Sequence, residues 1–556
     1  MIRNLAGRPW LTDCFFLFSI EVLSALPYLF KLGFYTDDWD GQSALAQYSS
    51  LGLVATFQAV TRMFPGMPLR PVAIVCGILE FKAFGHHPTP YHVLNLLLLG
   101  LLAILIYLVI RELNISRIIA FAVALVYGLL PHYSTDRFWI ASSEASLCMV
   151  FAMFGIYAML RAIRPDQRSL NGWSIASIVS LVLSLFSYEV ALGLIVAAFA
   201  TIAWRVSVKR SSASRNLSAR LALLSATGVL LLLIVVFKGS NQKRMAYHHH
   251  FFPRLGELTW HACVQSLKFI YWFYGLRLPF VLRTLWSDSA LGISAICTAA
   301  LITCCTCIYL FRQLRSSACP GRRVCAWTIV VGFVLFGLGF AIFFPDRTSE
   351  FSTPDLSNRV VIASALGAAC ALVGTIGVAC SVFKPGRAQA TAFSLAIAVL
   401  CGTYSLVVSG IGFFWADAAA RQQPIVQSLV THVHSLTSRS VLLLDGFCRY
   451  SGPGIVFEID WDATGAIRLN LHDNSLVGDV VSDDLHFDNA AVESPLPEEE
   501  YRHYTYSDHL FVFNVKSQTL TPLRSKSDAE DYLRVMNPAG NSGCPPAREG
   551  FGVPIF

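Results

Sequence analysis

Apolar runs of about twenty residues, separated by short polar connections, constrain this chain more than any other feature. A helix needs roughly 20 mostly apolar residues to cross the hydrocarbon of a bilayer. Runs of that kind begin near Leu11, His92, Arg117, Trp139, Trp173, Val190, Leu221, Ala290, Val324, Val360 and Thr391. They predict about eleven spanning helices, the run 118–130 being the shortest and weakest. Composition agrees: of 556 residues, 55% are hydrophobic and 14% charged, against roughly 25% charged in a soluble domain. The chain therefore reads as an α-helical polytopic membrane protein. The stretch 71–84 contains Glu80 and Lys82 and reads instead as an amphipathic helix on the membrane surface. The first run carries Glu21 and no small-residue cleavage site follows it. It reads as a retained span.

Alternate connections carry opposite chemistry. One set holds Arg3 and Arg8; Arg111 and Arg117; Arg161, Arg164 and Arg168; Arg205, Lys209, Arg210 and Arg215; Arg312, Arg315, Arg322 and Arg323; Lys384 and Arg387. These connections are short and poor in acids, so the positive-inside rule makes them cytoplasmic, with the N-terminus. The same rule accounts for the net charge of +7 better than nucleic acid does. An odd number of spans leaves the C-terminal region outside. The other face has two long loops, 34–91 and 238–289, and short connections at 131–137, 187–189 and 345–359. Acids, histidines, aromatics and isolated arginines collect there, the distribution of a site at one end of a bundle. The expected localisation is a bacterial inner membrane with the C-terminal domain periplasmic; an endoplasmic reticulum membrane fits the same pattern.

Within the first outer loop, Tyr35-Thr36-Asp37-Asp38-Trp39-Asp40 places three carboxylates directly after the first span. A carboxylate there serves as a general base or holds a divalent cation against a phosphate. The plainer reading is a solvated loop with an Asp capping the next helix. Arg70 precedes the surface helix and Arg359 a late span. Each is a candidate phosphate fork, and Arg359 equally a snorkelling interfacial side chain. His86 and His87 sit in a turn leading to His92 and Asn95, which lie one helical turn apart and suit a substrate pocket or interhelical hydrogen bonds. The segment 132–144 brings Asp136, Arg137, Trp139 and Glu144 to the outer surface. Glu144 enters a span and needs a partner, Arg137 being one. Glu189 occupies a tight outer connection, lining the same cavity or merely solvated. His248, His249 and His250 point apart and lack a supporting ligand, a poor metal site.

After about residue 416 the composition changes. Runs at 440–445, 455–459 and 509–514 read as strands, so 1–415 is the membrane region and 416–556 an extracytoplasmic α/β domain. Most of the fifteen cysteines fall within apolar runs, where Cys behaves as a small hydrophobe. Cys448 and Cys544 lie in the polar domain and are a disulfide candidate in an oxidising compartment.

Taken in order, the acidic pair Asp37-Asp38 after span one, the His92-Val93-Leu94-Asn95 entry behind a surface helix, Trp139-Ile140-Ala141-Ser142-Ser143-Glu144, Ser187-Tyr188-Glu189 and Asn358-Arg359 resemble the GT-C superfamily of glycosyltransferases. The likeness is to the protein O-mannosyltransferase-like branch, over roughly residues 11–383. Tyr188 stands where that branch has Lys. The resemblance implies a GT-C-like fold and a polyprenyl-phosphate-linked sugar as donor. It also implies an acceptor that is protein, lipid or glycan, and an inverting displacement. On that pattern Asp37 or Asp38 is the base, Arg359 with Arg70 holds the donor phosphate, and Glu144 and Glu189 shape the pocket. A divalent cation is the one cofactor it admits. The rival class is a transporter or flippase of a lipid-linked or polysaccharide substrate, which predicts paired charges deep in several spans and often a repeat. No internal repeat is evident.

Overall fold

The computed structural model describes residues 9–64, 67–164, 172–208, 217–241, 263–264, 266–316, 319–343, 356–433, 436–482, 485–495, 501–536 and 544. His248, His249 and His250, the connection 345–355, and the basic residues Arg3, Arg8, Arg168, Lys209, Arg210 and Arg215 lie outside them. The helices run in the order α1 Pro9–Ala25, α2 Asp37–Gln47, α3 Leu53–Met63, α4 Pro71–Phe84, α5 Pro88–Glu112, α6 Arg117–Leu129, α7 Thr135–Phe138 and α8 Ser143–Ala162. They continue with α9 Gly172–Ser187, α10 Leu192–Val208, α11 Leu217–Asn241, α12 Leu278–Ser287, α13 Ile293–Ser316, α14 Arg322–Phe340, α15 Ala365–Cys380 and α16 Arg387–His432. Every expected apolar run falls on one of these helices. Among the described residues six stretches are long and apolar enough to cross a membrane by length and composition: α5, α8, Ala222–Ser240 of α11, α13, α14 and α16. Four further apolar helices, α6, α9, α10 and α15, are shorter.

The weak run at 118–130 has a physical explanation. Ile118 through Leu130 are all buried, because α6 stands in the middle of the bundle against α1, α5, α15 and α16. A helix buried on all sides is apolar on all sides. Ser116 caps its start by accepting from the Ile119 N–H at 3.3 Å, and Pro131 follows its end.

Where two apolar helices meet, close van der Waals approach supplies cohesion. The α14–α15 pair achieves this with glycine: a Cβ on Gly332 would lie 2.6 Å from the Ala371 backbone nitrogen and 2.7 Å from the Gly367 carbonyl.

The two ends of the bundle are tied differently. At the end that carries the basic connections, Asp13 of α1 is fully buried and saturated. It accepts from Arg117 Nε (2.7 Å) and Nη2 (2.8 Å), the Tyr107 hydroxyl (2.5 Å), the Tyr309 hydroxyl (2.7 Å) and Gln313 Nε2 (2.7 Å). Nearby, Glu112 binds Arg161 and Arg164. At the opposite end, Glu21 of α1 pairs with Arg137 at 2.5 Å, both side chains 2% exposed. The first helix thus carries an ion pair towards each end, Glu21–Arg137 sealed and Asp13–Arg117 with its arginine partly exposed.

The first outer loop is helical over much of its length, as α2, α3 and α4. Helix α4 is the expected 71–84 helix. It buries Ile74, Ile78 and Phe81 at helical spacing against α3, α5 and α9.

The division expected at 416 falls inside α16, which continues to His432. Beyond it, β1 Val441–Asp445, β4 Val477–Val480 and β8 Leu510–Asn514 form a parallel sheet, with β9 Thr519–Pro522 antiparallel at its edge. A hairpin pairs β2 Tyr450–Ser451 with β3 Gly454–Ile455, and β5 His486–Phe487, β6 Ala491–Pro495 and β7 Tyr501–Thr505 make a second antiparallel sheet. The strand expected at 455–459 is thus confined to β3. Residues 456–459 leave the ladder because Glu458 N–H (2.6 Å) and Ile459 N–H (3.1 Å) bind the Asp462 carboxylate, which caps α17 Asp460–Leu471. Helix α18 Lys526–Met536 closes the domain. Its Tyr532 hydroxyl donates to Asp445 at 2.7 Å. Cys448 and Cys544 are joined in a disulfide.

This domain sits tightly on the first outer loop. A Cβ on Gly465 of α17 would collide with the Trp39 backbone and lie 2.5 Å from the Asp40 nitrogen. We predict that Gly465→Val prises α17 from α2, and that limited proteolysis then releases the C-terminal domain faster. Wild-type cleavage kinetics would show that the seam is looser than this packing requires.

Candidate functional site

The end of the bundle away from the basic connections gathers the predicted residues around the start of α2. The chain turns sharply there. Thr36 takes φ +42° and ψ −117°, a conformation that costs a β-branched residue on the order of 1–3 kcal/mol. Surrounding contacts hold it. The buried Tyr35 hydroxyl donates to the Trp415 carbonyl at 2.7 Å and accepts from Gly33 N–H at 3.0 Å. The Trp139 indole donates to the Tyr35 carbonyl at 3.1 Å. The turn is therefore braced on α16 and on the 132–144 segment at once.

Adjacent residues on a helix point about 100° apart, so the two carboxylates part company. Asp38 turns inward and is 5% exposed. Its two oxygens accept from Tyr35 N–H (3.0 Å) and Ala141 N–H (2.7 Å). Burial pushes its carboxyl up to about 8, against the two backbone donors, which favour the charged form. Asp37 turns outward. Solvent reaches it, yet protein surrounds it on most sides, which marks a recess. It makes no hydrogen bond among the described residues. Desolvation raises its carboxyl above the usual range, Arg359 pulls it back, and Glu458 of the C-terminal domain adds to the rise. Asp40, on the same turn, is pushed up to about 6 by desolvation, against Arg468 and with Asp37.

Arg359 is placed by its neighbour. Asn358, fully buried, accepts from Thr135 N–H at 3.1 Å and donates to the Ser134 hydroxyl at 3.2 Å. Its guanidinium lies 4.6 Å over the Trp139 ring. Among the described residues Arg359 makes no ion pair or hydrogen bond. Its charge is felt at Asp37, Asp136, Glu144 and Tyr188.

Arg70 differs: it is already engaged. It binds Glu144 at 2.8 Å and Glu189 at 3.3 Å, and its guanidinium lies 4.1 Å over the Tyr188 ring. Lys238 of α11 also pairs with Glu189. As a phosphate ligand Arg70 would first have to release two carboxylates. Glu144 is thus partnered by Arg70, in place of Arg137. Arg137 is sealed in the bundle, bound to Glu21, the Gly128 carbonyl and the Tyr133 hydroxyl.

His92 and Asn95 are structural hydrogen-bonders. His92 Nε2 meets the Gly33 carbonyl at 2.8 Å, and Asn95 Nδ2 donates to the Asp136 carbonyl at 2.6 Å. They fasten α5 to the two outer segments. His86 and His87 are exposed. Desolvation holds His86 below the usual imidazole range, as do His87 and His472, which puts this turn against the end of α17.

Asp136 is placed otherwise than its segment suggested, and Glu458 escaped the sequence reading. Asp136, expected at the outer surface, is instead fully buried, with one oxygen accepting from Ser142 Oγ at 2.8 Å and the other without a partner among the described residues. Burial raises its carboxyl well above the usual range, against Ser142, Arg359 and Arg137. Its place in the 132–144 segment was the available signal. Glu458 gave none, because only the docking of α17 on α2 brings it to Asp37. Among the described residues no group of three His, Cys, Asp or Glu is placed to hold a metal ion.

The recess thus offers an accessible carboxylate, an unpaired guanidinium stacked on an indole, and a walled-in ladder of alternating charge. No family model and no curated protein matches the chain.

Proposed function

We propose that the protein is a membrane glycosyltransferase that moves a sugar from a polyprenyl-phosphate-type donor to an acceptor on the extracytoplasmic face, with GT-C-like architecture. The observation that carries this reading is the juxtaposition, in one recess at one end of the bundle, of Asp37 and Arg359, neither of which has a hydrogen bond or ion pair among the described residues. The acceptor oxygen attacks the anomeric carbon as Asp37 takes its proton. The bond from that carbon to the phosphate oxygen breaks on the opposite face, and the phosphate leaves with the electron pair. Arg359 meets that charge with a preorganised fork, so little reorganisation is needed during reaction. Trp139 holds the guanidinium in place from below. Glu144, Glu189 and Arg70 form the polar wall for sugar hydroxyls. The surrounding bilayer delivers the lipid carrier. On this reading the eleven apolar helices all cross a bacterial inner membrane, with the N-terminus cytoplasmic and the C-terminal domain periplasmic.

A transporter or flippase is the second reading, favoured by the ion pairs of α1. Both pairs are closed on hydrogen-bonded partners near helix ends, as clamps are. The test is transfer in membranes supplied with native lipid-linked sugars, followed by mass spectrometry of glycans and lipids. Arg359→Gln should weaken use of the donor by roughly 10- to 100-fold, the worth of about 1.5–3 kcal/mol for a charged hydrogen bond. Transfer that survives both Arg359→Gln and Asp37→Asn would move the assignment to transport.

A further inference from the structure

The turn that presents Asp37 is held in a shape that its own residue disfavours. Thr36, at φ +42° and ψ −117°, is the first corner of a turn that the Asp38 N–H closes on the Tyr35 carbonyl at 2.9 Å. That is the first-corner geometry of a type II′ turn, a position glycine usually fills. Asp37 is the second corner. Thr36 is also 3% exposed, and its hydroxyl has no hydrogen-bond partner among the described residues. A steric cost and an unmade buried hydrogen bond thus fall on one residue, and such a conformation lasts where its neighbours over-determine it. Bundle contacts hold Tyr35 and the Asp38 carboxylate. The C-terminal domain takes hold on both sides of the turn. Upstream, its hairpin seats on the stretch of α16 whose Trp415 carbonyl anchors the Tyr35 hydroxyl. A Cβ on Gly454 would lie 2.5 Å from the Phe414 carbonyl oxygen and 2.9 Å from the Trp415 nitrogen there. Gln422 of α16 donates to the Val456 carbonyl at 2.7 Å. Downstream, α17 lies across the backbone of Trp39 and Asp40 at Gly465, with no room for a side chain. The Trp39 N–H donates to the Thr36 carbonyl at 3.1 Å, so whatever presses on Trp39 reaches Thr36. The Trp39 ring also lies between Phe34, with centroids 5.6 Å apart, and Phe457 of the domain, at 6.1 Å.

We propose that Gly465 and Phe457 are positioning residues of the site: the docked C-terminal domain clamps the strained Thr36 turn, and with it the direction of Asp37. This rests on Asp37 being the base of the transfer. Undocking frees the first turn of α2, Thr36 relaxes to negative φ, and the Asp37 carboxylate turns away from the recess. Glycine at 36 would make the clamp superfluous, since glycine takes positive φ without strain. Threonine makes the assembled site conditional on a docked domain. The domain thereby governs the chemistry while supplying none of the reacting groups.

The test reads the turn itself and needs no substrate. Hydrogen–deuterium exchange on the full-length protein in detergent follows the amides of Asp38 and Trp39, which the Tyr35 and Thr36 carbonyls protect. Limited proteolysis of the same samples reports undocking. Gly465→Val should release the domain and speed exchange of these amides by roughly 10- to 100-fold, the population shift that strain of this kind drives. Adding Thr36→Gly should leave the domain released yet return exchange to within about threefold of the wild type, the scatter of independent effects. Thr36→Gly alone should exchange as the wild type does. Phe457→Leu, which keeps bulk but takes the ring from Trp39, should speed exchange in the same direction and be suppressed by Thr36→Gly in the same way. Unchanged exchange in Gly465→Val, whether or not the domain is released, overturns the proposal. So does equal acceleration with and without Thr36→Gly, which would mean that undocking loosens α2 as a whole. Transfer in membranes should follow exchange, with kcat falling by about tenfold or more in Gly465→Val and recovering in the double variant. Exchange that is coupled in this way while transfer stays undiminished would sink Asp37 as the base and spare the clamp.

Discussion

Asp37→Asn is expected to reduce sugar transfer by about 10²- to 10⁴-fold, the usual contribution of a general base, while leaving the protein folded. The reasoning is geometric. Asp37 makes no hydrogen bond among the described residues, so an isosteric amide removes a proton acceptor and little else. Arg359 stays in place over Trp139, and removing the neighbouring negative charge does nothing to weaken its hold on a phosphate. The loss should therefore fall on kcat, with KM for the donor unchanged or lower. Asp38→Asn should behave differently. Both of its oxygens accept backbone N–H groups, and an amide offers one oxygen and turns an NH2 toward the second donor. An unmade buried hydrogen bond costs about 1–3 kcal/mol, so this variant should lose thermal stability along with activity. Paired assays of transfer and thermal unfolding separate the two. A fully active Asp37→Asn beside a stable, inactive Asp38→Asn would reverse the assignment of the base.

The second large effect concerns the bundle. Glu21→Met leaves the Arg137 guanidinium buried without its counter-charge, and breaking a buried pair costs about 3–5 kcal/mol. The side chains are each 2% exposed, so neither water nor a snorkelling movement relieves the charge. Replacing both, as Glu21→Met with Arg137→Met, should recover much of the loss, because the desolvation of both ions disappears together. Recovery stays incomplete, since the Gly128 carbonyl and the Tyr133 hydroxyl lose their donor. Heating the detergent-solubilised protein and following the folded fraction gives the comparison. A single variant as stable as the wild type would mean that Arg137 finds another counter-charge, and the clamp between α1 and the outer segment would have to be abandoned.

Much of the architecture was legible because it depends on local composition. Apolar runs have to become helices wherever water cannot satisfy the backbone. The outer collection of acids, histidines and arginines was legible for the same reason, since charge avoids the hydrocarbon. The pairing of Cys448 with Cys544 followed from their shared polar surroundings. Pairing among charges was not legible. Arg137 sits seven residues from Glu144 in the chain and reads as its partner, yet Glu144 meets Arg70 and Arg137 meets Glu21. Arg137 projects from a short helix into the bundle, while Glu144 opens the next helix on the recess side. His92 and Asn95 illustrate the same limit. Their spacing places them on one helical face, and only the neighbouring Gly33 and Asp136 carbonyls decide that this face is structural.

By itself the sequence determined the helical class, the alternation of basic and mixed ends, the strand-bearing C-terminal region and the stretch of chain that holds the carboxylates. These follow from hydrophobicity and charge summed over windows of ten to twenty residues, which no distant contact reverses. The tertiary structure decided which carboxylate is free. That choice rests on the Thr36 turn, on the backbone N–H groups of Tyr35 and Ala141, far apart in the chain, and on a domain whose glycine lets α17 lie against α2. Each is a contact between segments remote in sequence, and a side chain's partners at an assembled site exist only once those segments have met.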